Sequence, residues 1–292
     1  MMLNVKKLHP LFVGEASGVD LGRPIDASTR DAINNAMDEY AVLVFRNQPL
    51  SQTQQVELAK AFGPLDIGLK RLKKQPDRME HAELADISNV GEKGEAVGRD
   101  HRKLVSNIAN QLWHSDSSFQ KPPARYSILA AVQVPTKGGD TEYVDLRAAY
   151  DALPDDTKAE IEGLEAEHYA LHSRFMLGDT DYTEEQKNAL PPVYWPLVRT
   201  HPGSKRKILF VGIHARAIKG WTSAEGRMLL MDLLEHATQP KFVYAHKWQP
   251  DDLVIWDNRC TLHRGRRFDV SQVRELRRAT TLDVEEADLA PA

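Results

Sequence analysis

The stretch Leu253-Val254-Ile255-Trp256-Asp257-Asn258-Arg259-Cys260-Thr261-Leu262-His263-Arg264-Gly265 runs from four consecutive apolar residues through a polar turn to a histidine. A short apolar run bounded by turn residues predicts a buried strand, and a His just past the turn is how a neighbouring strand would deliver a metal ligand. A lone His there is more often a hydrogen-bonded structural residue. Further strand-like runs lie at 126–134, 141–144, 197–200, 208–213, 242–247, 252–256 and 275–283, broken by Pro and Gly. Many short strands with turn signals point to a sandwich or barrel. Helices interrupt them. Ile33, Ala36, Met37 and Tyr40 recur at helical spacing over 28–40, and the apolar run 41–45 (AVLVF) follows as a buried strand. Ser51 with Gln54 forms a capping box for a second helix that Gly63 is placed to end, and two more helices are expected at 155–164 and 224–237. Thr222 and Glu225 make a capping box for the last of these. The expected class is mixed α/β with a β core.

The chain has 292 residues, 41% hydrophobic and 27% charged, an ordinary globular composition with no linker-like segment, so one domain spanning 1–292 is expected. A net charge of −4 leaves no electrostatic footprint for nucleic acid or an anionic membrane and favours a small soluble ligand. No apolar stretch approaches the roughly 18 residues of a spanning helix, and the start, MMLNVKKLHPLFVGEASG, lacks a signal peptide's apolar core. A cytoplasmic location is expected. The lone cysteine, Cys260, makes neither a disulfide nor a Cys-rich zinc site, so a metal must be held by His and carboxylate. Apart from the short run 85–90, the polar stretch 68–102 has no sustained period and is either a lid over a site or a solvated insertion.

Within Asn110-Gln111-Leu112-Trp113-His114-Ser115-Asp116, the residues His114 and Asp116 would share one face of a strand and offer an imidazole nitrogen and a carboxylate oxygen to one ion. By chance alone about one His-x-Asp is expected in such a chain. His263 lies 149 residues later, Arg274 eleven beyond that, and Arg278 four further on. If 274–282 is a strand, Arg274, Leu276, Arg278 and Thr280 share a face, with the two guanidinium stems roughly 13 Å apart at about 3.3 Å per residue. Inward-facing arginines are costly unless they meet carboxylates, which a planar fork takes in bidentate fashion. Jointly these residues compose one device: two His and a carboxylate on one side of a metal whose other positions stay open, with an Arg for the remote carboxylate of a keto acid.

The runs LWHSDSSF, KGGDTEYVDLRAAYDAL, WDNRCTLHRGRR and RELRRATTLD resemble the taurine-dioxygenase-like branch of the Fe(II)/2-oxoglutarate oxygenases, and within it the bacterial members that degrade aryloxyacetates such as 2,4-dichlorophenoxyacetate. HPLF, LVFRNQPLSQTQQ, EHYAL and WPLVRTH extend the likeness over nearly the whole chain. The resemblance implies a double-stranded β-helix, or jelly roll, decorated by outer helices. It makes His114, Asp116 and His263 the Fe(II) ligands, Arg274 and Thr141 the partners of the 2-oxoglutarate C5 carboxylate, and Arg278 a neighbour of its C1 carboxylate and of the substrate's acidic head. O2 is the second cosubstrate, ascorbate a supporting reductant, and a homo-oligomer is expected. The implied reaction hydroxylates the methylene next to the ether oxygen, giving a phenol and glyoxylate together with succinate and CO2. Asn110, His201 and His214 match substrate-side positions, while Arg216 stands where the herbicide-degrading members carry another His; the cluster Lys70-Arg71-Leu72-Lys73-Lys74 could close over an anion. Trp113, Phe119 and Trp256 line the site or fill the core. Other readings of the same residues are a sulfonate or alkyl-sulfate dioxygenase, a zinc hydrolase on the same three ligands, and a silent jelly-roll binding protein.

Overall fold

The computed structural model describes residues 2–68 and 78–284; the cluster 70–74 lies outside them. The chain begins with β1 (Asn4–Lys7), β2 (Gly14–Ser17), α1 (Ala27–Tyr40), β3 (Val42–Phe45) and α2 (Gln52–Lys60). Next come β4 (Ala85–Ser88), α3 (Arg102–Asn107), a 3-10 turn at Ile108–Gln111, β5 (Ala124–Gln133), β6 (Thr141–Asp145), α4 (Leu146–Asp151) and α5 (Asp155–Ile161). A middle section holds β7 (Glu165–His168), α6 (His172–Met176), α7 (Glu184–Ala189), β8 (Val193–Pro196), β9 (Val198–Thr200), β10 (Lys207–Leu209) and β11 (Ala215–Ile218). It ends with α8 (Ser223–Ala237), β12 (Val243–His246), β13 (Leu253–Asp257), β14 (Thr261–Gly265) and β15 (Glu275–Leu282).

Seven strands form one sheet in the order β1-β2-β3-β13-β5-β15-β4, and β12-β6-β14 form a second. The continuous apolar runs in β3, β5 and β13 have a physical cause, since their sheet is covered on both faces. Leu43, Phe45, Ile128, Ala130, Leu253 and Ile255 pack outward with Ile33 and Met37 of α1 and Val56 and Leu58 of α2. Their alternates Val42, Val44, Leu129, Val254 and Trp256 point the other way and pack with Tyr143 of β6 and Tyr244 of β12. The second sheet in turn directs Val144 and Leu262 toward Leu230 and Leu233 of α8. The class is therefore mixed α/β with a β core between helical layers, and among the described residues no helix is long and apolar enough to cross a membrane.

Local signals account for most boundaries. The capping box at α2 is complete: Ser51 Oγ accepts the Gln54 N–H at 3.2 Å and Gln54 Oε1 accepts the Ser51 N–H at 2.8 Å. At α8 only half of one forms, because the Glu225 carboxylate takes the Thr222 hydroxyl proton (2.6 Å) instead of a backbone N–H. Two expectations are corrected. The stretch 68–102 is not wholly a lid, because β4 pairs with β15 as an edge of the large sheet. The run 208–213 stops pairing at Leu209, and its end is drawn to the site instead, where the Ile213 N–H donates to Trp113 O at 2.9 Å.

Two buried Asp-x-Arg turns tie strands to their surroundings. At the end of β6, Asp145 accepts both the Arg147 backbone N–H and its Nε–H at 2.9 Å. Arg147 then donates to Asp38 O (2.7 Å) and Glu39 O (3.2 Å), satisfying carbonyls in the last turn of α1. Asp257 and Arg259 repeat the turn after β13, with the backbone N–H at 2.9 Å and Nη2 at 2.6 Å from the carboxylate. Breaking such a buried pair leaves an uncompensated charge, at a cost of about 3–5 kcal/mol. Arg147→Met, which keeps the stem's bulk, is expected to lower the free energy of urea unfolding by about that amount; a loss under about 1 kcal/mol would show that water reaches Asp145.

Candidate metal centre and cosubstrate pocket

His263 lies on β14 one residue past Leu262, so strand alternation turns it from the helical side toward the other sheet. His114 is bound to it by a reciprocal backbone pair, His114 N–H to His263 O at 3.1 Å and His263 N–H to His114 O at 2.8 Å, which brings the ring centroids to 4.1 Å. That single bridge replaces the strand expected around His-x-Asp. Directly after it the chain turns, with Ser117 in the left-handed region (φ 48°) and its hydroxyl donating to Asp66 Oδ2 at 2.5 Å. Asp116 is aimed by contacts from elsewhere. Its N–H donates to Asn258 Oδ1 at 3.1 Å, and Ser115 Oγ donates to Asn258 O at 2.5 Å. Ser127 Oγ donates to Asp116 Oδ2 at 2.7 Å, and Arg278 Nη1 donates to Oδ1.

The result is a three-donor cluster. His114 Nε2 lies 3.8 Å from Asp116 Oδ1, and His263 Nε2 lies 3.7 Å from Asp116 Oδ2. An ion roughly 2.1 Å from each donor would hold neighbouring donors about 3 Å apart and opposite ones about 4.2 Å, so small side-chain shifts close the set. Leu112 O accepts from His114 Nδ1 at 2.7 Å, which leaves Nε2 with its lone pair for a metal. Protonation is also suitable. Burial lowers both imidazoles from their ordinary range, reinforced at His263 by its neighbour His114. Burial raises Asp116, yet Arg278 and the two histidines overcome it and hold the carboxyl near 2. Neutral nitrogens and an ionised carboxylate on one side of an ion make the 2-His-1-carboxylate arrangement of non-haem iron.

Beside this cluster lies a cavity of about 510 Å³ bordered by His114, His263, Thr141, Trp256, Arg274 and Arg278. Arg274 is 8% exposed, donates from Nε to Gly139 O at 3.0 Å, and has no carboxylate at ion-pair distance among the described residues. Burial pulls its pKa down to about 10. Gly139 is required there: its φ is +75°, and a Cβ would stand 3.0 Å from Arg274 Nε. Thr141 Oγ1 accepts from Trp248 Nε1 at 3.0 Å, which leaves its own proton to donate. A buried cation and a free hydroxyl on one wall, with metal donors on another, fit a dicarboxylate that also chelates the ion.

A larger cavity of about 890 Å³ adjoins, reached by His114, Asp116 and Arg278 and walled by Asn110, Phe119, Arg174 and His214. His214 meets Phe119 edge to face at 4.9 Å and His114 at 6.2 Å. The expectation for two other residues is corrected. His201 is fully buried, with Nε2 3.0 Å from Asp257 Oδ2, and serves the ion pair after β13 rather than a cavity wall. Arg216 stacks over Tyr169 and pairs with Glu167, so its charge is used outside the cavities. Trp113 packs in the core while Phe119 and Trp256 line cavities. Ser127, Asn258 and Arg174 belong to the site without a motif to announce them. Asn258 does sit in the turn between β13 and β14, where a polar side chain one residue past a buried strand end is a usable signal.

Residues 4–280 match the family described as Taurine catabolism dioxygenase TauD, TfdA family. The chain is 61% identical over 283 residues to the alpha-ketoglutarate-dependent 2,4-dichlorophenoxyacetate dioxygenase of Cupriavidus pinatubonensis, covering 97% of this chain and 99% of that one. It is 37% identical over 281 residues to the (S)-phenoxypropionate/alpha-ketoglutarate-dioxygenase of Sphingobium herbicidovorans, covering 93% and 92%. The crystal structure of AAD-2 in complex with Mn(II) and N-oxalylglycine superposes with a TM-score of 0.90 at 48% identity, over 97% of this chain and 98% of that one. With a metal-competent His-Asp-His cluster beside a pocket fitted to a dicarboxylate, and with full-length likeness of this degree, the chain belongs to the TauD, TfdA family of dioxygenases.

Proposed function

We propose that this protein is an Fe(II)/2-oxoglutarate-dependent oxygenase that hydroxylates the ether-side methylene of aryloxyacetates. The observation that carries the reading is Arg274, a buried guanidinium with no carboxylate at ion-pair distance among the described residues, bordering the same cavity as His114 and His263 of the His-Asp-His donor cluster. A zinc hydrolase on the same donors would leave Arg274 and Thr141 without a ligand. Two facing sheets, with β13 in one and β14 in the other joined by a short turn, support the double-stranded β-helix reading and one domain.

His114, Asp116 and His263 would hold the ion, and Arg274 with the Thr141 hydroxyl would take the C5 carboxylate of 2-oxoglutarate. When bound, iron, keto acid and O2 together supply an oxidation that releases succinate and CO2 and places one oxygen atom on a substrate carbon. The chain's own part is positional. Arg278 borders both cavities and offers charge where the keto acid's C1 carboxylate and the substrate's carboxylate approach. Phe119 provides an apolar face for an aromatic ring, and Asn110, on the 3-10 turn, borders both cavities as an amide donor. Hydroxylation of ArOCH2CO2⁻ gives a hemiacetal, whose C–O bond breaks to a phenol and glyoxylate.

With Fe(II), 2-oxoglutarate and O2, the protein is expected to release phenol from phenoxyacetate with one succinate per phenol; oxygen uptake that stays at background would overturn the reading. Arg274→Gln is expected to raise the KM for 2-oxoglutarate about 10- to 100-fold, as loss of a charged hydrogen-bond partner does, with little change in the KM for phenoxyacetate. The depressed imidazoles set a pH signature. Two unshifted histidines would protonate through pH 6.5 and weaken metal binding about 15-fold between pH 7.5 and 6.0. Because both folded-state values lie lower, Mn(II) affinity measured by titration is expected to fall by clearly less than that across the same interval.

A further inference from the structure

Among the cations bordering the larger cavity, one arginine is left unassigned. The reaction brings three carboxylates into the site, two on 2-oxoglutarate and one on the substrate, and each sheds water as it enters. Arg274 faces the first and Arg278, already on Asp116, stands by the metal. The other cations bordering the larger cavity are otherwise engaged: Arg78 and Lys103 lie 3.3 Å and 2.7 Å from Asp86, and Lys93 is exposed. Arg174, on α6, borders the same cavity as His114, His214 and Arg278.

Its surroundings aim it without forming a direct ion pair. Nη1 donates to the Ser173 hydroxyl at 2.9 Å, and Ser173 is itself 1% exposed on the cavity wall. The Tyr182 phenol is its other polar partner, and that phenol spends its proton on Asp179 Oδ2 at 2.9 Å. The Asp179 N–H returns to Arg174 O at 3.0 Å, closing a small ring of contacts around the side chain. Among the described residues no carboxylate lies within ion-pair distance of Arg174. A largely buried guanidinium whose nearest carboxylate, Asp179, acts on it without a direct ion pair is costly unless an anion arrives.

We infer that Arg174 is a specificity-determining residue that binds the substrate's carboxylate within the larger cavity, acting with Arg278. This rests on the aryloxyacetate reading. It assigns the acid preference to a residue on α6, separate from the strands that carry the metal and keto-acid groups, so loss of Arg174 leaves those functions in place.

The test uses the whole chain loaded with Mn(II) and N-oxalylglycine and titrated calorimetrically with phenoxyacetate and with its neutral analogue phenoxyacetamide. Arg174→Gln is expected to weaken phenoxyacetate about 10- to 100-fold, to leave phenoxyacetamide within about twofold, and to leave N-oxalylglycine affinity unchanged. Arg174→Lys, which keeps the charge but not the fork, is expected to restore part of the acid's affinity. Equal affinity of Arg174→Gln and the unaltered protein for phenoxyacetate overturns the inference, as does an equal loss for acid and amide. Should Arg174→Gln not fold, Arg174→Lys decides by the same acid-to-amide ratio, which must fall. Failure of the unaltered protein to bind phenoxyacetate overturns the substrate reading first and this inference with it.

Discussion

A carboxylate that must stay ionised inside the protein governs this structure. Asp116 is 6% exposed, and an anion at that depth persists only if other elements bring partners to it. They come from three strands and a turn: Ser127 from β5, His263 from β14, Arg278 from β15, and Asn258 from the turn joining β13 to β14. The register of the large sheet fixes them mutually, with Trp256 of β13 and Thr280 of β15 both opposite Ser127. A slip of one residue in β5 would turn the Ser127 hydroxyl to the opposite face and carry an apolar neighbour to Asp116. The pairing that builds the sheet therefore also builds the ligand set.

The buried arginines divide by what answers their charge. Arg147 and Arg259 each follow an aspartate by two residues and receive both its backbone turn and its carboxylate. Their charge is consumed in holding α1 to β6 and the end of β13 to its neighbours. Arg274 is comparably buried but meets a carbonyl in place of a carboxylate. An interior that leaves such a group unmatched must recover the cost elsewhere, and the dicarboxylate proposed to bind beside the donor cluster would do so. Stability and binding are thus served by the same side chain in two local arrangements.

Much of this could be read from the residues. Apolar runs buried on both faces identified β3, β5 and β13, because nothing but a covered sheet explains Val42 to Phe45 without a polar alternate. The clustered donors His114, Asp116 and His263 and the arginine after them were picked out by residue type and spacing taken jointly, with Thr141 added by the family likeness. What escaped depended on three-dimensional closure. β4, with the sequence ADIS, has little intrinsic strand character and becomes one by pairing with β15. His201 stood as a substrate-side candidate, but Asp257 meets it across 56 residues. Arg216 had a local partner, Glu167, which lies 49 residues away and adjacent only because β11 pairs with β7. Ser127 and Arg174 carry no pattern at all, since a single hydroxyl or guanidinium acquires meaning only from what it faces.

The site also separates what must be rigid from what can vary. The residues proposed to hold the metal and the keto acid sit on or directly beside strands of the two sheets, where packing on both faces limits each side chain to one position. The larger cavity is walled by less regular structure: Asn110 on a 3-10 turn, Phe119 and His214 outside any strand, Arg174 on a helix of five residues. Such segments tolerate substitution without disturbing a sheet. β4 and the residues after it then border both cavities, with Ile87 facing each. A substituent on the bound ring would therefore be sensed by short, adaptable segments, while the donors to the metal, fixed by sheet register, stay where the chemistry needs them.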